Sequence, residues 1–153
     1  MPDQADRLAA ELAHLRGGRL QPGDAVALPL TLASTFHLPG DPSGLRQYGR
    51  YDNPTWEAVE AALGHLEGAS AIAFPSGMAA ISAVLLSLLK SSDRILLPGD
   101  GYYTTRILAE RFLKPLGIVA DQRPTKTFLD GGFAGYRLVY VETPSNPMLD
   151  VCD

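Results

Sequence analysis

Cysteine is all but missing from this chain. Cys152, next to the last position, is the single one and has no partner for an internal disulfide. That fits a reducing compartment. Lysine is scarce as well: Lys90, Lys114 and Lys126 stand against ten arginines. No run is long and apolar enough to cross a bilayer, since the best stretch, Ile81 to Leu89, contains Ser82 and Ser87. The opening residues MPDQADRLAAELAH carry acids and no apolar core, so no signal peptide is expected. No basic run is present and the net charge is −4, which gives no footing for nucleic acid. The glycine patterns G-x-G-x-x-G and G-x-x-x-x-G-K-[ST] are also missing. His14, His37 and His65 are scattered without metal-ligand spacing and read as structural or surface residues. These absences leave a cytoplasmic chain with no membrane, nucleic-acid or metal partner as the expectation.

What is present suits one folded core. The chain has 153 residues, 46% of them hydrophobic and 20% charged, and a domain of that size buries roughly 70% of its unfolded surface. Leu8, Leu12 and Leu15 line one face of a helix over residues 5–16, with Gly17-Gly18 as its stop. Residues 18–53 show no period and many prolines and glycines, which predicts an extended arm or a long ordered loop. Asn53-Pro54 reads as an N-cap followed by proline at the first helical position. Trp56, Val59, Leu63 and Leu66 follow at helical spacing, and Gly68 ends that helix. Four short apolar runs come next, at Ala71–Phe74, Arg94–Leu97, Gly117–Ala120 and Leu138–Val141. Helix-forming stretches at 77–90 and 101–114 separate the first three. Strand and helix alternating in this way predict an α/β fold with a mainly parallel sheet.

In an open α/β sheet, ligands bind beyond the carboxyl ends of the strands. Three segments combine such an end with unusual residues. Pro75-Ser76-Gly77-Met78 opens a helix, where free N–H groups and the helix dipole suit an anion. Asp100-Gly101-Tyr102-Tyr103 offers rings that stack on a flat ligand. Glu142-Thr143-Pro144-Ser145-Asn146-Pro147 holds an amide between two prolines. Each also has a plainer reading: a helix cap, two rings packed at the sheet edge, a rigid turn. Ahead of them, Tyr48-Gly49-Arg50-Tyr51 pairs a guanidinium with phenols. This is either a phosphate clamp or a solvated loop arginine.

Taken in order, these segments carry a resemblance that none carries alone. Tyr48-Gly-Arg50-Tyr-Asp-Asn53-Pro54-Thr55, Leu66-Glu67-Gly68, Ser76-Gly77-Met78-Ala79-Ala80, Gly99-Asp100-Gly-Tyr102 and Glu142-Thr-Pro-Ser145-Asn146-Pro147 together resemble the pyridoxal-phosphate (PLP) enzymes of Cys/Met metabolism. Pro29-Leu-Thr-Leu-Ala-Ser34-Thr35-Phe36 matches the same family, and the resemblance covers residues 20–153. The Tyr-x-Arg and Asn-Pro-Thr pattern looks most like the cystathionine γ-synthase and γ-lyase branch. The resemblance implies the N-terminal part of a fold type I, aminotransferase-like large domain. Residues 1–52 would then be a helix and arm, and 53–153 an incomplete PLP-binding domain. It also implies roles. Ser76, Gly77 and Met78 would hold the PLP phosphate, Tyr102 would stack on the ring and Asn146 would bond its 3-oxygen. Tyr48 and Arg50 would reach the phosphate of a neighbouring subunit's cofactor, and Arg106 would face the substrate. The assembly implied is a dimer with shared active sites, itself part of a homotetramer.

The family uses two further groups. One is an aspartate paired with the pyridinium nitrogen, and the other is the lysine that forms the Schiff base. Lys90, Lys114 and Lys126 lie in other segments, and Asp153 stands too close to Asn146. The expectation is therefore a fragment, inactive alone, whose Schiff-base lysine lies beyond the chain end. The intact enzyme would eliminate or replace the γ- or β-substituent of a cystathionine-like sulfur amino acid. The rival expectation is a non-catalytic remnant that associates with a full-length relative. A generic nucleotide-binding α/β domain is a third reading, weakened by the missing glycine fingerprint.

Overall fold

The computed structural model describes residues 4–15 and 20–153, so the expected stop at Gly17-Gly18 lies outside the described residues. Contacts gather the chain into two units, one running to Ala73 and one from Phe74 to Asp153.

In the first unit, α1 spans Gln4–Ala13 and α2 spans Pro54–Glu67. Leu8, Leu12 and Leu15 are the half-buried positions around α1, as the spacing requires. His65 Nε2 lies 2.9 Å from Glu11 Oε2 and ties α2 to α1, a structural use of a histidine. The start of α2 follows the cap reading. Asn53 is extended, its side chain accepts from the Thr55 N–H, and Pro54 occupies the first turn. Gly68 ends the helix in the left-handed region at φ 61, where a Cβ would be strained. Residues 20–52 hold no helix and a single antiparallel bridge, Thr35 with Tyr48. The Thr31 N–H donates to Thr55 Oγ1 at 2.8 Å, and Asn53 Nδ2 donates to the Thr31 carbonyl at 3.0 Å. These two bonds stitch the arm to the first turn of α2.

The second unit is a three-stranded parallel sheet with helices. In chain order it contains α3 (Gly77–Leu88), β1 (Arg94–Pro98), α4 (Tyr103–Leu108), β2 (Val119–Arg123) and β3 (Leu138–Val139). The strand order is β2-β1-β3, both pairings parallel. Ile95 and Leu97 share one face of β1 and pack with Leu85 and Leu89 from the α3 side and with Ala109, Leu113 and Ile118. Burying each such side chain contributes about 1.5–3 kcal/mol, so this cluster fixes α3 against β1.

Four expectations about elements need correction. The run at Leu138–Val141 is a strand only over Leu138–Val139. Residues 71–74 are not a strand. The Ala73 N–H is taken by Glu60 Oε1 at 2.8 Å, where a strand would bond a neighbouring strand, and Ile72 is 75% exposed. The run expected at 117–120 begins as a β-strand only at Val119, because Gly117 caps the preceding helix at φ 80. A Cβ there would also meet Ser91 Oγ at 2.5 Å. The single helix expected over 101–114 is α4, then a π-helical turn at Ala109–Leu113, then a 3-10 turn at Lys114–Leu116. Pro115 explains the change. It has no N–H to give and its ring would crowd the carbonyl four residues back.

Candidate functional site

The turn at residues 89–93 is short, so α3 runs back antiparallel to β1, against which it packs. Twelve helical residues rise about 18 Å and five strand residues about 16 Å. The amino end of α3 is thereby carried to the carboxyl end of β1. Ser76-Gly77-Met78, the turn after β1 and the segment after β3 all lie at that end of the sheet.

At the start of α3, Ser76 is extended and its Oγ accepts the Ala79 N–H at 3.1 Å. The Ser76 carbonyl takes the Ala80 N–H. The N–H groups of Gly77 and Met78 have no partner among the described residues, and the first turn carries no acidic residue. A Cβ built on Gly77 meets nothing within 4 Å. An anion can therefore approach two free amides, a hydroxyl and the positive end of a twelve-residue helix.

Beyond β1, Tyr102 begins α4 with its ring partly exposed and edge-on to Tyr103, centroids 5.7 Å apart. Its N–H donates to Glu142 Oε2 at 2.9 Å, which joins the turn after β1 to the segment after β3. Gly101 permits that closeness, since a Cβ there would come within 2.6 Å of Pro98 Cγ and 3.1 Å of Glu142 Oε2. On the other side of the same turn, Asp100 Oδ1 accepts from the N–H and the hydroxyl of Thr125, both at 2.8 Å. Burial works to raise the Asp100 carboxyl, but the Thr125 bonds, its own backbone N–H and Asp150 together hold the group below its ordinary value.

Asn146 sits exposed on a loop closed beneath it. Ser145 is 1% exposed, donates its N–H to the Asp150 carbonyl at 2.8 Å and accepts the Asp150 N–H at 3.1 Å. The Asn146 side chain has no partner among the described residues and can bond a ligand oxygen. Burial pushes the nearby Tyr140 phenol up, and the charge of Glu142 adds to it.

Arg106 lies apart from this group. It shares an open groove between α4 and β2 with Tyr103, Ile107, Glu110, Arg111 and Gln122, and its Nε is buried without a partner. In the first unit, the Arg50 guanidinium lies 4.7 Å from the Tyr48 ring centroid and 5.8 Å from that of Tyr51. Among the described residues no carboxylate pairs with it, so its positive charge is held by rings and remains available to an anion. Among the lysines, Lys90 precedes β1 at the amino end of the sheet, Lys114 pairs with Glu110 at 3.0 Å, and Lys126 is exposed in a 3-10 turn.

The sequence reading missed the ties that hold these segments, Glu142 to Tyr102 and Asp100 to Thr125. The one local signal was Gly101 placed directly before Tyr102.

Comparison with known proteins follows the same lines. The family model described as Cys/Met metabolism PLP-dependent enzyme matches residues 12–153. A Streptomyces coelicolor relative, provisionally named a cystathionine gamma-lyase, is 46% identical over 131 residues, 79% of this chain and 32% of its own length. The cystathionine gamma-synthase of Mycobacterium bovis is 38% identical over 138 residues, 84% of this chain and 35% of its own. Among solved structures, the cystathionine gamma synthase of Xanthomonas oryzae in complex with cystathionine superposes with a TM-score of 0.81 at 29% identity. That superposition covers 100% of this chain and 40% of the other. The chain spans about a third of the length of these curated relatives.

Proposed function

The chain belongs to the Cys/Met metabolism PLP-dependent enzymes, and from that premise we propose that the protein serves trans-sulfuration. The reaction would be elimination or replacement at Cγ or Cβ of a cystathionine-like sulfur amino acid. Membership of the family makes pyridoxal 5'-phosphate the cofactor, and the residues present fit it. The observation that carries this reading is the open amino end of α3 at the same sheet end as an exposed tyrosine ring and an unpartnered asparagine amide.

When bound, the cofactor supplies an electron sink for the pair left when a substrate loses its α-proton. The work of this chain's own residues is to hold and orient it. Gly77 and Met78 donate N–H groups to the phosphate, and the Ser76 hydroxyl donates its proton there while its oxygen keeps the Ala79 N–H. The Tyr102 ring would stack on the cofactor's ring. Asn146 would donate its amide N–H to the 3-oxygen and help to orient it. Arg50, with Tyr48, neutralises a phosphate belonging to a neighbouring subunit, which would make a dimer the smallest complete unit. A homotetramer and a cytoplasmic location accompany this proposal. Arg106 is proposed as a substrate-carboxylate partner, supported by its unpaired Nε.

The direct test supplies the purified protein with PLP and cystathionine and follows thiol and keto-acid release. A rival reading is supported by the positions of Lys90, at the amino end of the sheet, and of Lys114, already paired with Glu110. On that reading the chain associates with a full-length relative without catalysing anything itself. Co-elution with such a relative, with no activity of the protein alone and none gained on mixing, supports the rival. Activity of the protein alone rejects it.

A further inference from the structure

We propose that Glu142 is a positioning residue that sets the Tyr102 ring in register with the Asn146 amide. The inference rests on the reading of Tyr102 and Asn146 as ring contacts. Those two residues belong to different strand ends, forty residues apart along the chain for the bonded pair Tyr102 and Glu142. A flat ligand held between a ring and an amide needs their separation fixed, and backbone pairing does not reach either of them. The β1–β3 pairing ends at Leu96 with Val139, short of both loops. The Tyr140 N–H still bonds the Leu96 carbonyl at 2.9 Å, and beyond it the connection passes to side chains: Glu142 on the Tyr102 N–H, and Asp150 beside Asp100. The Glu142 carboxylate, four residues before Asn146, accepts the N–H of Tyr102 itself at 2.9 Å.

The surroundings are built for this contact. Gly101 leaves room that even a methyl group would take from the Glu142 oxygen. On the far side, Asp100 holds the turn to Thr125, which is fully buried. The turn after β1 is thus gripped from both flanks, and Glu142 is the grip that bonds the Tyr102 backbone itself, beside the contact of Asp100 with Asp150. The phosphate donors Ser76, Gly77 and Met78 take no part in it, so losing Glu142 should damage ring binding and spare phosphate binding.

The experiment uses the whole 153-residue chain and two probes. One is 4'-deoxypyridoxine 5'-phosphate, which has the ring, the 3-hydroxyl and the phosphate but no aldehyde to react with lysines. The other is inorganic phosphate. Affinities are read by fluorescence titration and by competition, and Tyr102 amide protection by hydrogen exchange. Glu142→Ala should lose about tenfold in affinity for the ring-bearing probe, the scale of one charge-assisted hydrogen bond. Its phosphate affinity should stay within about twofold, and its Tyr102 amide should exchange faster. Glu142→Gln, which keeps an accepting oxygen, should recover most of the loss. If Glu142→Ala keeps its probe affinity while Tyr102→Ala loses it, the positioning role fails and the ring site stands. If Glu142→Ala weakens both probes equally, the residue is merely structural and the proposal is overturned. If Tyr102→Ala changes nothing, or the unaltered chain binds the probe no better than phosphate, the ring-site reading falls and takes this inference with it.

Discussion

Among the described residues, two helices start with an extended cap residue, and they are finished in opposite ways. At α2 the cap Asn53 is 6% exposed and uses both ends of its amide, accepting from Thr55 and donating to Thr31. Pro54 removes one donor outright, and Glu57 places a carboxylate in the first turn. At α3 the cap Ser76 is exposed, the two residues after it keep unpaired N–H groups, and the first turn has no acid. The first start is sealed and anchors the arm. The second is left open, which costs stability wherever the free amides lack a partner. Capping geometry alone therefore does not mark a binding site. What distinguishes the two is how many donors the fold leaves unspent, and the sign of the charge it puts beside them.

The contrast can be broken most severely at Gly77. Gly77→Val adds bulk where a Cβ has open space, so thermal unfolding should change by no more than about 0.5 kcal/mol. The added methyls stand where a phosphate would meet the backbone, so affinity for inorganic phosphate and phosphate esters should fall by more than about tenfold, the scale of a lost charge-assisted bond. Calorimetric titration beside a melting curve separates the two effects. A folded Gly77→Val protein that still binds phosphate normally would show that the open start of α3 is not the anion site.

The next largest effect is expected at the sealed start. Asn53→Ala removes a cap and strands the Thr31 carbonyl, for a loss of about 1–2 kcal/mol in urea unfolding. It should leave phosphate binding alone. Ser76→Ala should do the reverse in proportion: about 0.5–1 kcal/mol of stability, because its cap is exposed, with a measurable drop in phosphate affinity. Equal stability losses at the two caps would erase the distinction between them.

Both starts were legible in the amino-acid sequence because capping is local. Asn53-Pro54, Ser76-Gly77 and Gly68 act within four residues of themselves, and the structure gives each the expected cap or helix end. The α/β class and the parallel sheet were also legible, since they follow from alternating periods. Features that depend on distant partners were not. Residues 71–74 have the apolar content of a strand, but strand assignment requires a neighbour, and Glu60 takes the Ala73 amide instead. The π-turn at Ala109–Leu113 looks like ordinary helix until Pro115 is considered as a disturbance reaching back one turn. The bond from Tyr102 to Glu142 spans forty positions and has no local signature except the glycine that makes room for it.

The smallest expected effect tests the charge half of the contrast. Glu57 bonds Arg46 through both carboxylate oxygens, and that hydrogen bonding holds its carboxyl below the ordinary value. Burial opposes the shift weakly, and the Arg46 charge adds to it. A folded value below the unfolded one means that the unfolded chain binds the proton more readily. The contribution is therefore complete above the unfolded carboxylate value and is lost as pH falls through the lower, folded one. The pair is well exposed, so its share is small and screened by salt. Urea unfolding followed from neutral pH into the acid range should show a shallow decline that Glu57→Gln flattens, and that about 1 M salt also reduces, because the Debye length is then about 3 Å. The α3 start has no acid in its first turn and should contribute nothing to that slope. A Glu57→Gln protein that keeps the full acid dependence would place the titrating group elsewhere. It would also remove the argument that α2 carries its own anion while α3 leaves that place to a ligand.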